Sequence, residues 1–68
     1  MKFSERLKEL MLQHDYTQQQ VASAIGYSQR AVSKWLAAQS EPTASAICLL
    51  ADFFDVSTDF LLGFSDTI

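Results

Sequence analysis

Four of the six residues 29–34 of this 68-residue sequence have side chains that form strong hydrogen bonds. Glutamine pairs through two hydrogen bonds with N6 and N7 of adenine, and arginine pairs likewise with O6 and N7 of guanine. Each pair contributes about 1–3 kcal/mol of discrimination between bases. Gln29 and Arg30 supply these two side chains, and Ser33 adds a hydroxyl group. Lys34, one helical turn beyond Arg30, would reach a guanine or a phosphate. The chemistry of this segment therefore suits the base edges exposed in a nucleic-acid groove.

A solvated helix surface is the simpler interpretation of the same residues, and the charge distribution bears on the choice. The net charge of −3 argues against a nucleic-acid partner, but the charges are unevenly placed. Residues 1–15 carry equal numbers of acids and bases, and residues 16–40 carry Arg30 and Lys34 with no acid. Residues 41–68 carry five acids and no base: Glu41, Asp52, Asp55, Asp59 and Asp66. The only positive third of the chain is thus the one that holds the candidate segment, which favours a nucleic-acid contact.

The elements that must position these side chains are predicted to be helices. Apolar residues in the first segment follow the i, i+4, i+7, i+8 spacing of one helix face. Four later segments begin with a serine or threonine that can cap a helix: Thr17, Ser28, Thr43 and Ser57. Gln20 follows Thr17 by three residues and completes a capping box. The pattern predicts an all-α chain with helices at 3–14, 17–24, 28–37, 43–54 and 57–63.

The second and third predicted helices are joined by a short turn at Gly26, which can adopt positive φ. Ala22 is small where the two helices would cross. A glycine turn between two short helices with apolar inner faces is typical of a helix-turn-helix unit, here residues 17–37. Asp15 and Asp55 stand at helix ends that favour a left-handed residue. The predicted core consists of Leu7, Val21, Ala22, Ile25, Val32, Trp35, Ile47, Leu50, Ala51, Phe54, Val56 and Leu61.

With these motifs, residues 3–63 resemble the phage-repressor-like, Cro/CI-type (XRE-type) helix-turn-helix DNA-binding domains. The resemblance rests on Thr17-Gln18, Val21-Ala22, Ile25-Gly26, Ser28, Val32-Ser33, Trp35, Glu41-Pro42, Leu50-Ala51, Val56-Ser57 and Leu61-Leu62-Gly63. It implies a compact five-helix, lambda-repressor-like fold whose third helix lies in the major groove of double-stranded DNA. Base contacts would come from Gln29, Arg30, Ser33 and Lys34. Phosphate contacts would come from Gln18, Ser28, Gln39 and Ser40.

The sequence departs from that family after Trp35. The family commonly has Glu-Asn-Gly-Lys there, whereas residues 36–39 are Leu-Ala-Ala-Gln. Loss of the glycine predicts an altered end to the third helix, extended by a residue or two. Loss of the lysine predicts modest affinity and a shallow salt dependence, from about 2–4 neutralised phosphates per subunit.

Many relatives pair an arginine late in the first helix with the glutamate that follows the tryptophan position. Met11 and Leu36 occupy the two positions here, and we expect them to touch, because packed apolar residues can replace a buried ion pair.

Large apolar residues in the C-terminal half allow two interpretations. They either complete a small core or form a surface for a homodimer. Two copies of the third helix, separated by one turn of the DNA double helix, would contact two half-sites of an operator. We expect a homodimer through the C-terminal region, with the candidate residues Leu49, Phe53, Phe60, Phe64 and Ile68.

The sequence offers little for catalysis. His14 lies at the end of a predicted helix without a nucleophile nearby, and Cys48, the only cysteine, is expected to pack as a small apolar residue. Neither a metal-ligand spacing nor a glycine-rich phosphate loop is present. We therefore expect no enzyme activity, no cofactor, no metal and no small-molecule substrate. Since no apolar run reaches 18 residues, we expect no membrane span, and a lone thiol suits the cytoplasm.

These features predict a single DNA-binding domain over residues 1–68, in a bacterial or phage transcriptional regulator that binds a specific double-stranded operator. We expect a repressor that acts by blocking polymerase. A protein-interaction module on the same fold, such as an antitoxin or an anti-repressor partner, is the alternative. The acidic C-terminal third and the small number of cations favour that alternative.

Overall fold

Five α-helices form the protein in a computed structural model, which describes residues 2–67. They are α1 (Lys2–His14), α2 (Gln18–Ile25), α3 (Gln29–Leu36), α4 (Ala44–Phe54) and α5 (Thr58–Leu62). Each helix end lies within one residue of the predicted position. The predicted all-α fold class is confirmed.

The helix starts follow the capping pattern in the sequence. Thr17, Ser28, Thr43 and Ser57 have extended backbone, and each side-chain oxygen accepts a hydrogen bond from the backbone N–H three residues later. At α2 the N–H of Gln20 donates to Oγ1 of Thr17 (3.1 Å), while Oε1 of Gln20 accepts from the N–H of Thr17 (2.8 Å). The predicted capping box is thus present, and it pairs two of the N–H groups that a helix start leaves without partners.

Most helix ends use a left-handed residue, which turns the chain sharply into the next element. Gly26 ends α2 with φ 78°, and Asp55 ends α4 with φ 56°. Asp15 follows α1 with φ 59°, as predicted. Aspartate and glycine tolerate this conformation better than most residues, so the short links are locally encoded.

The predicted extension of α3 is wrong, because the helix ends at Leu36. Ala38 adopts the left-handed conformation with φ 57°. Its N–H donates to the carbonyl of Trp35 (3.1 Å), and the N–H of Gln39 donates to the carbonyl of Lys34 (2.9 Å). These bonds form the same closing turn that a glycine would allow, and they hold alanine in a strained backbone conformation.

One hydrophobic core receives side chains from all five helices. It comprises Phe3, Leu7, Leu10, Met11, Val21, Ala22, Ile25, Val32, Trp35, Ala46, Leu50, Ala51, Phe54, Phe60 and Leu61. Ile47 and Val56, which were predicted to belong to it, are half-buried at its edge. Phe60 was predicted for a dimer surface and is instead buried, with the guanidinium of Arg6 4.3 Å from the centre of its ring.

The C-terminal segment closes against the first helix. α5 packs on α1, and Nη2 of Arg6 donates to Oδ1 of Asp66 (2.7 Å). A Cβ atom on Gly63 would overlap the Cβ of Lys2, so the two segments approach as closely as only glycine permits. The two ends of the described chain are therefore held together beside the core.

Candidate nucleic-acid interface

The candidate interface is built on α2 and α3, which pack directly against each other. The carbonyl of Ala22 accepts hydrogen bonds from the N–H groups of Gly26 (2.9 Å) and Tyr27 (3.0 Å). Both bonds close the end of α2, so only two residues separate Gly26 from the start of α3. Val21, Ala22 and Ile25 are buried, which leaves the first turn of α2 at the surface. This local geometry is that of the predicted helix-turn-helix.

Aromatic contacts fix the orientation of α3. Its inward face carries Val32 and Trp35, both buried. The Trp35 ring meets Phe3 of α1 edge-on, with centroids 6.4 Å apart, and Tyr27 of the turn at 5.4 Å. Oη of Tyr27 also lies 3.0 Å from Oγ1 of Thr43, the N-cap of α4. This last link was not predicted, because its partners are 16 residues apart and neither position signals the other.

The outward face of α3 presents the predicted base-contacting residues. Gln29, Arg30, Ser33 and Lys34 are all exposed. In residues 2–67 the one salt bridge joins Arg6 to Asp66, so neither Arg30 nor Lys34 is neutralised by a described acid. Because α2 and α3 contain no acid, a negatively charged groove would meet only neutral and positive groups on these two helices.

The residues expected to contact phosphates lie at the ends of the two helices. Gln18 is half-buried in the first turn of α2. Ser28 is exposed, and its Oγ accepts the N–H of Ala31 (3.1 Å), which leaves its own O–H free to donate. Gln39 and Ser40 follow α3 and are exposed. All four can donate neutral hydrogen bonds, and none supplies a positive charge.

Met11 and Leu36, predicted to touch, line the same surface pocket. Its volume is about 150 Å³, and its other lining residues are Lys8, Leu12, Asp15 and Tyr16. The pocket lies where α1 and the end of α3 meet, so the two apolar replacements are neighbours. Their direct contact stays a prediction.

The other predicted dimer residues are placed differently from one another. Leu49 and Phe64 are 43% and 81% exposed, whereas Phe53 is half-buried with its ring 5.1 Å from that of Tyr16. Ile68 lies outside the described residues. Cys48, beside Leu49, is exposed, so the expectation that it packs in the interior is wrong.

Residues 2–67 contain neither a candidate metal site nor a candidate membrane-spanning helix. No group of three His, Cys, Asp or Glu side chains in this range could hold a metal ion. None of the described helices is both long and apolar enough to cross a membrane.

Known proteins similar to this chain share its helix-turn-helix. A family model described as helix-turn-helix (HTH_3) matches residues 7–61. The HTH-type transcriptional regulator YobD of Bacillus subtilis (strain 168) is 31% identical over 64 residues, which cover 94% of this chain and 57% of that protein. The SPbeta prophage-derived HTH-type transcriptional regulator YonR of the same strain is 35% identical over 60 residues, covering 88% of this chain and 56% of that protein. The HTH-type transcriptional activator BcrR of Enterococcus faecalis is 32% identical over 68 residues, covering 100% of this chain and 33% of that protein. The chain thus spans little more than half of the first two proteins and a third of the last.

Solved structures match the arrangement of the helices. A crystal structure of a transcriptional regulator from Listeria innocua superposes with a TM-score of 0.87 at 26% identity, covering 97% of this chain and 62% of that one. The NMR structure of the DNA-binding domain of the P22 c2 repressor gives a TM-score of 0.85 at 24% identity, covering 100% of this chain and 92% of that one. The second match shows the fold alone. Together they confirm the predicted lambda-repressor-like, five-helix fold.

Proposed function

The chain belongs to the helix-turn-helix family, and from this premise we propose that it is a sequence-specific, DNA-binding transcriptional regulator. The observation that supports this most strongly is the outward face of α3. It carries Arg30 and Lys34, which are exposed and have no described ion-pair partner, and neither α3 nor the neighbouring α2 contains an acid. α3 enters the major groove of double-stranded DNA, which is wide enough to admit a helix.

Each side chain on that face has a distinct role in the proposed complex. Arg30 donates two hydrogen bonds to a guanine, and Gln29 pairs with an adenine. Ser33 contacts either kind of base edge, and Lys34 reaches a guanine or a phosphate. Sequence preference thus comes mainly from Gln29 and Arg30, since only these two offer paired hydrogen bonds in one plane.

Phosphate contacts fix the position of the domain on the duplex. Gln18 lies in the first turn of α2, where the backbone N–H groups and the helix dipole favour an anion. Ser28, Gln39 and Ser40 add neutral donors around α3. Because the two cations supply most of the positive charge near the duplex, affinity depends weakly on salt, with about 2–4 phosphates neutralised per subunit.

A homodimer suits this mode of binding, because two copies of α3 can contact two half-sites. We place its contact on α4 and the segment after α5, through Leu49, Phe53 and Phe64. Phe60 is excluded from this surface, because its side chain is buried in the core.

Regulation would follow from occupancy of the operator, with repression where the bound dimer excludes polymerase. Such a regulator acts in the cytoplasm, where the DNA of a bacterium or its phage is found. The relative BcrR is named an activator. The position of the operator relative to the promoter would set the sign of regulation, and a reporter gene placed behind the selected operator measures it.

Binding to a mixed-sequence DNA duplex at low and at moderate salt tests the proposal. Arg30→Ala and Lys34→Ala should each weaken binding about tenfold at low salt and reduce the salt slope by about one, because each removes a cation from the duplex. Lys2→Ala, which removes a cation from α1, is the matched control and should bind like the wild type.

Equal binding of the duplex by the wild type, Arg30→Ala, Lys34→Ala and Lys2→Ala would contradict the proposal. Failure of all four to bind, with helicity intact by circular dichroism, would also contradict it and would favour the protein-interaction module.

A further inference from the structure

α1 and the residue that follows it carry a stripe that is complementary in charge to itself. Lys8, Met11 and Leu12 have the three- and four-residue spacings that place side chains on one side of a helix. Asp15 comes directly after the helix, and all four residues of the stripe line the surface pocket. Leu12 stands on its rim, 72% exposed, although it is a large apolar residue. Lys8 and Asp15 lie at the two ends of the stripe with opposite charges, and both are exposed.

We propose that this stripe binds the same stripe of a second copy of the chain, with the two α1 helices antiparallel. In a two-fold symmetric pair, residue i meets residue j and j meets i. A two-fold axis between Met11 and Leu12 places Lys8 of each copy opposite Asp15 of the other. The same axis places Leu12 of each copy opposite Met11. One register therefore pairs both charges and brings the exposed Leu12 of each copy to the pocket that the other copy's Met11 lines.

The pocket supplies the space that this register requires. It is about 150 Å³ in volume, and Met11, Leu36 and Tyr16 contribute apolar lining. An apolar cavity of about 150 Å³ is large enough to hold benzene, so it admits the four carbon atoms of a leucine side chain. Leu12 of the second copy would enter this pocket and remove from water an apolar surface that the monomer leaves exposed.

A contact of one helix pair is small, so the association should be weak and reversible, with a dissociation constant on the order of 10–100 μM. The stripe shares no residue with the α4 and C-terminal surface proposed above for the dimer on DNA, although Tyr16 of the pocket contacts Phe53 of that surface. A chain that used both could join neighbouring DNA-bound dimers, and this consequence alone rests on the proposed function.

Reversal of one charge at a time tests the register. Lys8→Asp makes both ends of the stripe acidic, and Asp15→Lys makes both ends basic. Each variant alone should self-associate about tenfold more weakly than the wild type, because the symmetric pair then contains two repulsive contacts. An equimolar mixture of the two should associate at least as strongly as the wild type, because every contact in the mixed pair joins an acid to a base.

Sedimentation equilibrium without DNA measures these associations, so a failure to bind DNA leaves the outcome unaffected. All proteins carry Leu49→Lys and Phe64→Ser, which disable the other proposed surface at exposed positions. Glu9→Lys is the matched control, since it makes the same change of charge as Asp15→Lys at an exposed position of α1 that does not line the pocket. It should associate like the wild type.

Two results would overturn the proposal. One is a wild-type stripe that stays monomeric up to about 1 mM, well above the expected dissociation constant. The other is a mixture of the two reversed variants that associates no better than either alone, with both helical by circular dichroism. Should Asp15→Lys unfold at its left-handed position, Leu12→Gln serves instead. It should weaken association about tenfold, and unchanged association would overturn the proposal.

Discussion

Arg30 and Lys34 are available for binding because of where the acids of the chain lie. The chain has eight acids, and none falls between residues 16 and 40. Arg6 shows the contrasting case, since Asp66 pairs with its guanidinium and the ring of Phe60 lies beneath it. The same type of side chain thus covers the core at one position and faces solvent at another. At this scale, the sequence predicted that Arg30 and Lys34 are exposed, and it did not predict that Arg6 pairs with Asp66.

Ala38 is the residue with the clearest conformational strain. Its φ of 57° costs alanine about 1–2 kcal/mol relative to a right-handed conformation, and glycine avoids that cost. We predict that Ala38→Gly stabilises the protein by about 0.5–1 kcal/mol after the greater flexibility of glycine in the unfolded chain is deducted. Urea unfolding measures the change.

Ala37→Gly is the control for this prediction. Ala37 has φ −84°, where glycine brings no relief, so this change should destabilise the protein by about 0.5–1 kcal/mol. Equal effects of the two substitutions would show that strain at Ala38 is negligible.

At the scale of the element, α2 depends on its capping box. We predict that Thr17→Ala destabilises the protein by about 1 kcal/mol, because the N–H of Gln20 loses its side-chain acceptor and the reciprocal bond loses its geometry. Thermal unfolding followed by circular dichroism provides the measurement.

Ser23→Ala is the matched control within the same helix. Ser23 is exposed and lies within α2, away from both ends of the helix. Alanine is the better helix former at such a position, so the replacement should be neutral or slightly stabilising. A loss as large as that of Thr17→Ala would mean that hydroxyl removal from α2 is harmful in general and that the cap is not special.

The helix starts could be predicted because a cap is local. Thr17 and Gln20 are three residues apart, and their two bonds follow from residue type and spacing alone. The end of α3 could not be predicted in the same way. Ala38 gives no signal of a left-handed turn, and only the hydrogen bonds of the folded chain show that alanine adopts it.

At the scale of the molecule, α5 closes the fold by packing on α1. We predict that Gly63→Ala destabilises the protein more than Gly26→Ala does. Both glycines have positive φ, which costs alanine about 1–2 kcal/mol, but only at Gly63 would the new Cβ meet another atom, the Cβ of Lys2. That overlap adds about 1–3 kcal/mol.

Urea midpoints of the two variants test this prediction, and Gly26→Ala acts as the internal control for backbone strain. Equal midpoints would show that the chain ends are not held as closely as the structure describes.

The closure of the chain explains what sequence analysis missed at this scale. Arg6 and Asp66 are 60 residues apart, so no local pattern links them. No local pattern links Phe60 to α1 either, so nothing in the sequence indicated that α1 covers Phe60, and it was predicted for a dimer surface. Its burial depends on α1, which lies at the other end of the chain.

Selection of bound duplexes from a random pool, carried out with the wild type and with Arg30→Ala, tests most directly whether α3 contacts bases. The wild type should enrich two half-sites about 10 base pairs apart. Arg30→Ala should lose its preference at one G·C pair per half-site and keep its other preferences, because one bidentate contact is removed. Enrichment of the same sequence to the same degree by both proteins would contradict the account.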